Sequence, residues 1–307
     1  MGLGGAAFPT HVKLSPPEGK PIDTVLLNGA ECEPYLNCDY RLMVEKPKKV
    51  LKGLAIIMEV LGVNKAYIAI EDNKMEASSA IRTALSIKTL DAKYQIQMVL
   101  LKTKYPQGGE KQIIDAVLDR KVPPEKLPFE VGCVVSNIGT AYAIYEAIYE
   151  NKPLYERVIT LSGDSLNEPQ NILARIGTPL SELVEFCGGF KNKVNKVVFG
   201  GPMMGIGQYT LDTPIIKGTS GIVFLSEKET KPPLELPCIK CARCVDACPV
   251  NLMPTRIYQL VKKEKRENVS ELNPTDCIEC GACSYECPSK IPLVHYIKLA
   301  KLVINKE

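Results

Sequence analysis

Two stretches of the chain share one spacing of cysteines: CIKCARCVDACPVNLMP, from Cys238 to Pro254, and CIECGACSYECPSKIPL, from Cys277 to Leu293. Each reads C-x2-C-x2-C-x3-C-P. Three closely spaced thiolates of this kind come round one face of an iron–sulfur cubane, and where the run occurs twice the fourth cysteine ligates the other cluster. The pattern assigns Cys238, Cys241, Cys244 and Cys287 to one [4Fe-4S] cluster, and Cys277, Cys280, Cys283 and Cys248 to a second. Pro249 and Pro288 follow the fourth cysteine, where a fixed φ and a missing N–H let the chain leave the cluster without a wasted donor. Ala242 and Gly281 are small, as close packing against a cluster requires. Zinc is the bland alternative, and it favours separate CxxC pairs over two runs of four. Two neighbouring clusters mean one-electron transfer, with the reduction potential left open by the spacing.

A second chemistry is written in short polar stretches. The opening GLGGAAFPTHVKL carries Gly2, Gly4 and Gly5, whose backbone N–H groups can approach a phosphate without side-chain interference, with Lys13 as a charge partner. LLNGAECEPY places Asn28, Glu31 and Glu33 after an apolar run, where an amide and two carboxylates suit a ring system or a ribose. KYPQGGEK places Tyr105, Gly108, Gly109 and Glu110 before a helix start, a phosphate-binding position. VVSNIGT places Asn137 and Thr140 after another apolar run. Taken singly, each of these also reads as ordinary turn or helix-cap chemistry. Of the other cysteines, Cys133 and Cys187 read as plain packing, while Cys32 and Cys38 flank the acidic loop and stay open between packing and a ligand role. Only two histidines occur, His11 and His295, and no nucleophile–base arrangement is evident, so the site supplies geometry and potential rather than an acid–base residue.

The elements that must position these groups follow from periodicity. PIDTVLLN (Pro21 to Asn28), KAYIAIED and YQIQMVLL read as strands. Val44 to Gly62 reads as one helix stopped by its glycine, with further helices from about Lys74 to Ser86 and from Lys111 to Arg120. Strands alternating with helices imply βαβ units and a parallel sheet, with ligands at the carboxyl ends of the strands. Composition shifts near Pro153, after which short strands surround one helix in TPLSELVEFCGGF. Glu227 to Pro237 reads as a linker, and TRIYQLVKKEKRENVSEL as an amphipathic helical segment with a solvated charged face. The predicted domains are 1–153 (Rossmann-like), 154–228 (a small α+β module) and 229–307 (the cluster domain).

A chain of 307 residues is too long for one ordinary core. No apolar run spans a bilayer and no signal peptide opens the chain, so a reducing cytoplasm is expected; there, twelve cysteines argue for ligation rather than a disulfide framework. A net charge of +3 gives nucleic-acid binding little support.

GLGGAAFPTHVKL, NGAECEPY, KYPQGGEK and VVSNIGT together resemble the flavin- and NADH-binding subunit of respiratory complex I. The wording, with FGGPMMG, KGTSGI and the second cysteine run, is more similar still to the C subunit of the Rnf family of membrane-bound, ion-pumping NADH:ferredoxin oxidoreductases, over essentially the whole chain. The resemblance implies a Rossmann-like FMN domain, a β-grasp ligand-binding-type module and an α-helical domain with two [4Fe-4S] clusters. Carried over, Gly2, Gly4, Gly5 and Lys13 hold the FMN phosphate or the nucleotide, and Phe8 faces the adenine side of NADH. Glu33 contacts NADH, while Asn28, Asn137 and Thr140 hold FMN with Glu31 as a neighbour; Tyr105, Gly108, Gly109 and Glu110 form the turn beneath the nucleotide. It further implies the ferredoxin-like and integral membrane subunits of that complex as partners, and a peripheral place on the cytoplasmic face of the membrane. Three departures stand out: Ala30 where the family has aspartate, Gly108-Gly109-Glu110-Lys111 where it has G-E-E-T, and a loose match around Glu71, Asp72 and Asn73. The module order is shared with the flavin and iron–sulfur cobalamin reductase of diol-using microcompartments, and a cluster-bearing adaptor without flavin is a further alternative. Relatives carry a domain before the glycine loop, so a shortened chain or a late gene start is expected; a native mass near 33.8 kDa would overturn that expectation.

Overall fold

A computed structural model describes residues 1–87, 91–231, 234–264 and 268–304. They form two compact units, Met1–Thr230 and Lys231–Glu307.

The first unit opens with the short helix α1 (Thr10–Lys13), then strand β1 (Thr24–Gly29), helices α2 (Cys38–Glu45) and α3 (Pro47–Leu61), and strand β2 (Lys65–Glu71). Helix α4 (Met75–Ser86), strand β3 (Gln95–Leu101), helix α5 (Glu110–Leu118), strand β4 (Cys133–Asn137) and helix α6 (Ile138–Tyr149) follow. The four strands pair in parallel in the order β3-β2-β1-β4. Alternation along the central strand explains why its apolar run is nearly continuous. Val25 and Leu27 join the core with α3, α4 and α6, while Leu26 joins Ile113 and Ile114 of α5 on the other face. Each such fully buried side chain contributes roughly 1.5 to 3 kcal/mol.

The helix expected from Val44 to Gly62 is two helices. Lys46 leaves helical geometry (φ −129°, ψ 36°), because proline at position 47 disfavours it in the residue before and takes the first helical position itself. At the other end Gly62 closes α3 with φ 66°, the left-handed cap that glycine accepts without strain. In mid-helix Gly53 permits close packing on α6: a Cβ there would stand 1.8 Å from the carbonyl oxygen of Ala141.

The rest of the first unit is a mixed five-stranded sheet of order β6-β5-β9-β7-β8. Its members are β5 (Glu156–Ser162), β6 (Gln170–Arg175), β7 (Val194–Phe199), β8 (Ile206–Gln208) and β9 (Gly221–Ser226), with helix α7 (Leu180–Phe186) packing Leu180, Leu183 and Val184 into their core. Helix α8 (Glu227–Thr230) occupies the start of the expected linker, whose Pro232 and Pro233 lie outside the described residues. Cys133 and Cys187 are both fully buried, in the cores of the parallel and mixed sheets.

The second unit holds helices α9 (Arg243–Asp246), α10 (Pro254–Lys262), α11 (Ala282–Tyr285) and α12 (Leu293–Ile304). The amphipathic segment after Pro254 is helical to Lys262; its residues 265–267 lie outside the described residues. The sequence repeat is also a backbone repeat. Lys240 and Glu279, Ala242 and Gly281, and Asn251 and Lys290 are pairs at equivalent positions, and all six have positive φ. Ala242 holds a left-handed turn (φ 62°) where the other half uses glycine (φ 83°), so the cluster loop imposes the same turn on both. The aromatic pair Tyr258 and Tyr296, 4.7 Å apart edge to face, ties α10 to α12.

Candidate functional site

The parallel sheet has one switch point. From β1 the chain adds β2 and β3 on one side and returns to place β4 on the other, so the loops after β1 and β4 diverge and leave a crevice at the strands' carboxyl ends. Asn28 and Asn137 end these two strands in register.

Most of the predicted residues converge here. Asn28 donates from Nδ2 to the carbonyl of Gly108 (2.9 Å) and accepts from the N–H of Ala30 (3.0 Å), fastening the acidic loop to the KYPQGGEK turn. Gly108 allows this approach, since a Cβ would stand 2.4 Å from the carbonyl oxygen of Ala30. Gly109 caps α5, and Tyr105 enters the turn through a cis peptide to Pro106. Asn137 caps α6 by accepting from the N–H of Thr140 (3.3 Å), and the Thr140 hydroxyl accepts from the N–H of Leu3 (2.9 Å). That bond pins the glycine loop against the start of α6. Gly2 closes the loop on the carbonyl of Phe8 (2.9 Å) and has no room for a side chain. Gly4 packs on the side chain of Asn137, and Gly5 has nothing within 4 Å of its Cβ position.

Three charged residues have partners that local sequence does not reveal. Lys13 pairs with Glu110 (2.6 Å) and also reaches the carbonyl of Val135 (3.1 Å), with the Phe8 ring centroid 5.8 Å from its ammonium. Glu33 accepts from the N–H groups of Met203 (3.2 Å) and Met204 (2.8 Å), so it holds the FGGPMMG turn to the acidic loop. Burial pushes its pKa up, against those two hydrogen bonds. Glu31 is half-buried, accepting from the N–H groups of Asp39 and Tyr40 and from the thiol of Cys38. Burial first, and then the neighbouring Asp39 carboxylate, raise it to about 7. Asp39 accepts in turn from Asn137, and the buried Arg157 donates to the carbonyls of Leu3 and Lys217. Two half-buried carboxylates and one buried guanidinium thus lie beneath the glycine loop.

Residues outside the predicted set also belong to this end of the sheet. Glu71, at the end of β2, is 1% exposed and its Oε1 has no hydrogen-bond partner; burial raises its pKa. The Oε1 of Gln107 and the hydroxyl of Thr10 are buried and unpartnered as well. Burial, and then the carboxylates of Glu71 and Glu33, raise the Cys32 thiol to about 11. Orphaned buried polar atoms cost about 1 to 3 kcal/mol each. Here they stand with glycine backbone at a sheet switch point, and that combination fits a bound planar ring with a phosphate.

In the second unit Cys248, Cys277, Cys280 and Cys283 line one cavity, whose other walls include Pro249, Val250, Leu252, Ile278, Val294 and Ile297. The fourth of these cysteines, Cys248, comes from the other repeat. Burial, then Cys277, Cys280 and Cys248 in turn, push the Cys283 thiol up to about 12; a cationic cluster relieves this crowding of like charges. The remaining four divide similarly: Cys244 lies with Cys287 and Cys238 in the core of the unit, while Cys241 is exposed. Backbone N–H groups of Lys240 and Glu279 donate to the sulfurs of Cys238 (3.4 Å) and Cys277 (3.3 Å), equivalent bonds in the two halves. Among the described residues no three His, Cys, Asp or Glu side chains converge as closely as a single metal ion needs. Four thiolates around an apolar cavity fit a [4Fe-4S] cluster.

Comparison with known proteins agrees with this division. Residues 1–146 match the FMN-binding domain model of the 51-kDa complex I type, residues 158–207 the SLBB domain, and residues 237–291 the 4Fe-4S dicluster domain. The NAD+-reducing [NiFe]-hydrogenase shares the fold: its H2-reduced form gives a TM-score of 0.68 at 18% identity over 96% of this chain and 60% of that one. An FMN-binding-domain sheet, an SLBB module and a 4Fe-4S dicluster domain define a chain of flavin and iron–sulfur type. Among curated relatives, the C subunit of the proton-translocating ferredoxin:NAD(+) oxidoreductase complex of Clostridium ljungdahlii is 48% identical over 98% of this chain. The C subunit of the Na(+)-translocating complex of Acetobacterium woodii is 45% identical over 98%, and that of the ion-translocating complex of Rhodobacter capsulatus 38% over 98%. The chain belongs to the family of C subunits of the Rnf-type ion-translocating ferredoxin:NAD(+) oxidoreductases. It spans 65%, 67% and 57% of the lengths of these three relatives. Among the described residues no helix is long and apolar enough to cross a membrane.

Proposed function

We propose that the chain is the electron-entry part of a membrane-bound, ion-translocating NADH:ferredoxin oxidoreductase, moving electrons between NADH, FMN and two [4Fe-4S] clusters. The observation that carries this reading is the presence, in one chain, of a phosphate-type crevice at a sheet switch point and of four cysteines, drawn from both repeats, around one apolar cavity. Bound FMN supplies exchange between two-electron hydride chemistry and the one-electron steps of the clusters.

The chain's own residues bind and orient. Gly2, Gly4 and Gly5 present backbone to the phosphate and nucleotide, and Lys13, held by Glu110, lends positive charge. Asn28, Asn137 and Thr140 fix the ring's position, with Glu31 behind them. Phe8 and Glu33 face NADH, and Tyr105, Gly108, Gly109 and Glu110 make the floor. The eight repeat cysteines hold the clusters. The working parts are 1–153 for flavin and NADH, 154–228 for the β-grasp module and 229–307 for the clusters. Partners are the other subunits of such a complex, with the chain peripheral on the cytoplasmic face.

An anaerobic NADH titration of protein reconstituted with iron, sulfide and FMN tests this. Bleaching of both flavin and cluster absorbance, with NADH preferred over NADPH, is the expected result; clusters that assemble while flavin neither binds nor bleaches would overturn it.

A further inference from the structure

The backbone repeat of the second unit makes one lysine conspicuous. Helices α10 and α12 are equivalent in the two halves, and Lys262 of the first corresponds to Lys301 of the second. Lys262 turns outward, to the hydroxyl of Tyr258 (2.8 Å) and the carboxylate of Glu235 (3.4 Å). Lys301 turns inward: its ammonium donates to the backbone carbonyl of Cys277 at 2.6 Å and to Glu279 at 2.8 Å, with its side chain 21% exposed. The residue between the first two cysteines differs too, lysine at 240 against glutamate at 279. Glu279 is held on its other oxygen by Lys298 (3.2 Å), whose side chain is 54% exposed. Among the described residues, only the second half therefore has a partly buried cation seated on a ligand residue.

Resting on the proposed function, we propose that Lys301 is a positioning residue that makes the two clusters unequal. It raises the reduction potential of the cluster held by Cys277, Cys280, Cys283 and Cys248. Reduction adds one electron and no proton to the cluster, so it adds one negative charge. A fixed ammonium beside a ligand stabilises that charge, and partial burial shields the interaction from salt. The ammonium also draws the electron density of the Cys277 carbonyl toward itself and away from the cluster. Glu279, next but one to the ligand Cys277, opposes Lys301 and is held at one carboxylate oxygen by it, so removing the lysine leaves that carboxylate with only the exposed Lys298. Among the described residues the first half has no equivalent.

The test is a potentiometric titration of the reconstituted chain with dithionite and mediator dyes, followed by electron paramagnetic resonance. Lys301→Met is expected to lower one of two one-electron couples, reducing its reduced-to-oxidised ratio at fixed potential about tenfold, a shift of about 59 mV. The second couple stays in place. Lys301→Arg restores the shifted couple, Glu279→Gln raises that same couple, and Lys262→Met moves neither. Glu279→Gln keeps the idea testable if Lys301→Met fails to assemble clusters. Wild-type spectra with both couples, but no change in Lys301→Met or an equal change in both, overturn this inference alone. A wild-type chain that cannot hold two clusters overturns the proposed function beneath it.

Discussion

Replacing Glu31 with glutamine isolates the half-buried carboxylate pair under the glycine loop. Glu31 accepts from two backbone N–H groups and a thiol while sharing its surroundings with Asp39, and burial holds its pKa at about 7 against the usual 4.5. The folded chain thus binds this proton more tightly than the unfolded one, by about 3 kcal/mol. The sign follows from linkage: this stabilisation is full below pH 4.5 and is lost as the pH rises to about 7. Glutamine is neutral throughout. It loses one of the acceptors, an offset of about 1 kcal/mol at every pH. Urea unfolding by circular dichroism at pH 5, 6, 7 and 8 should therefore show Glu31→Gln less stable than wild type at pH 5. The variant should equal or exceed wild type at pH 8, the difference changing by about 2 to 3 kcal/mol. Two parallel pH curves would refute the reasoning, because they would mean that Glu31 does not hold a proton of its own in the folded chain.

Three further outcomes follow from the geometry. Gly108→Ala sets a methyl 2.4 Å from the Ala30 carbonyl; overpacking of about 1 to 3 kcal/mol should weaken FMN binding ten- to a hundredfold, read by quenching of flavin fluorescence. Cys287→Ser should abolish the cluster whose other ligands are in the first repeat, leaving about four iron atoms per chain and the spectrum of the second cluster. Lys13→Met removes a pair whose side chains are 28% and 36% exposed, so stability should change by less than about 1 kcal/mol while FMN affinity falls more, separable by comparing urea midpoints with flavin titrations.

What was legible in the sequence was what rests on short spacing. A cubane accepts thiolates only at certain separations, so the cysteine runs carried a spacing that puts Cys248 beside Cys277, Cys280 and Cys283. The strands around Leu26 and Ile68 were legible because a sheet covered on both faces needs unbroken apolar runs. Pro47 was in plain view, yet strong periodicity on both sides hid the break it makes. Contacts distant in sequence were not legible. Lys13 finds Glu110 within the parallel-sheet part, and Glu33 finds Met203 and Met204 where the mixed-sheet part meets the acidic loop. Gln107 lacked a signal of its own and Glu71 had only a loose resemblance; their buried, unpartnered oxygens mark them.

The interleaving of the two cysteine runs carries a consequence for damage and repair. With the proposed ligand sets, each cluster would be a rivet through both halves of the second unit, so either one alone would still join them. Oxygen attack on one cluster frees cysteines drawn from both repeats, yet the survivor keeps the repeats together and the emptied loop close to the shape it must regain. Decay in air should accordingly cost iron in two steps, with the fold of the unit outlasting the first. Refilling a half-loaded chain should then be quicker than loading a bare one, because the surviving rivet has already brought the two runs side by side.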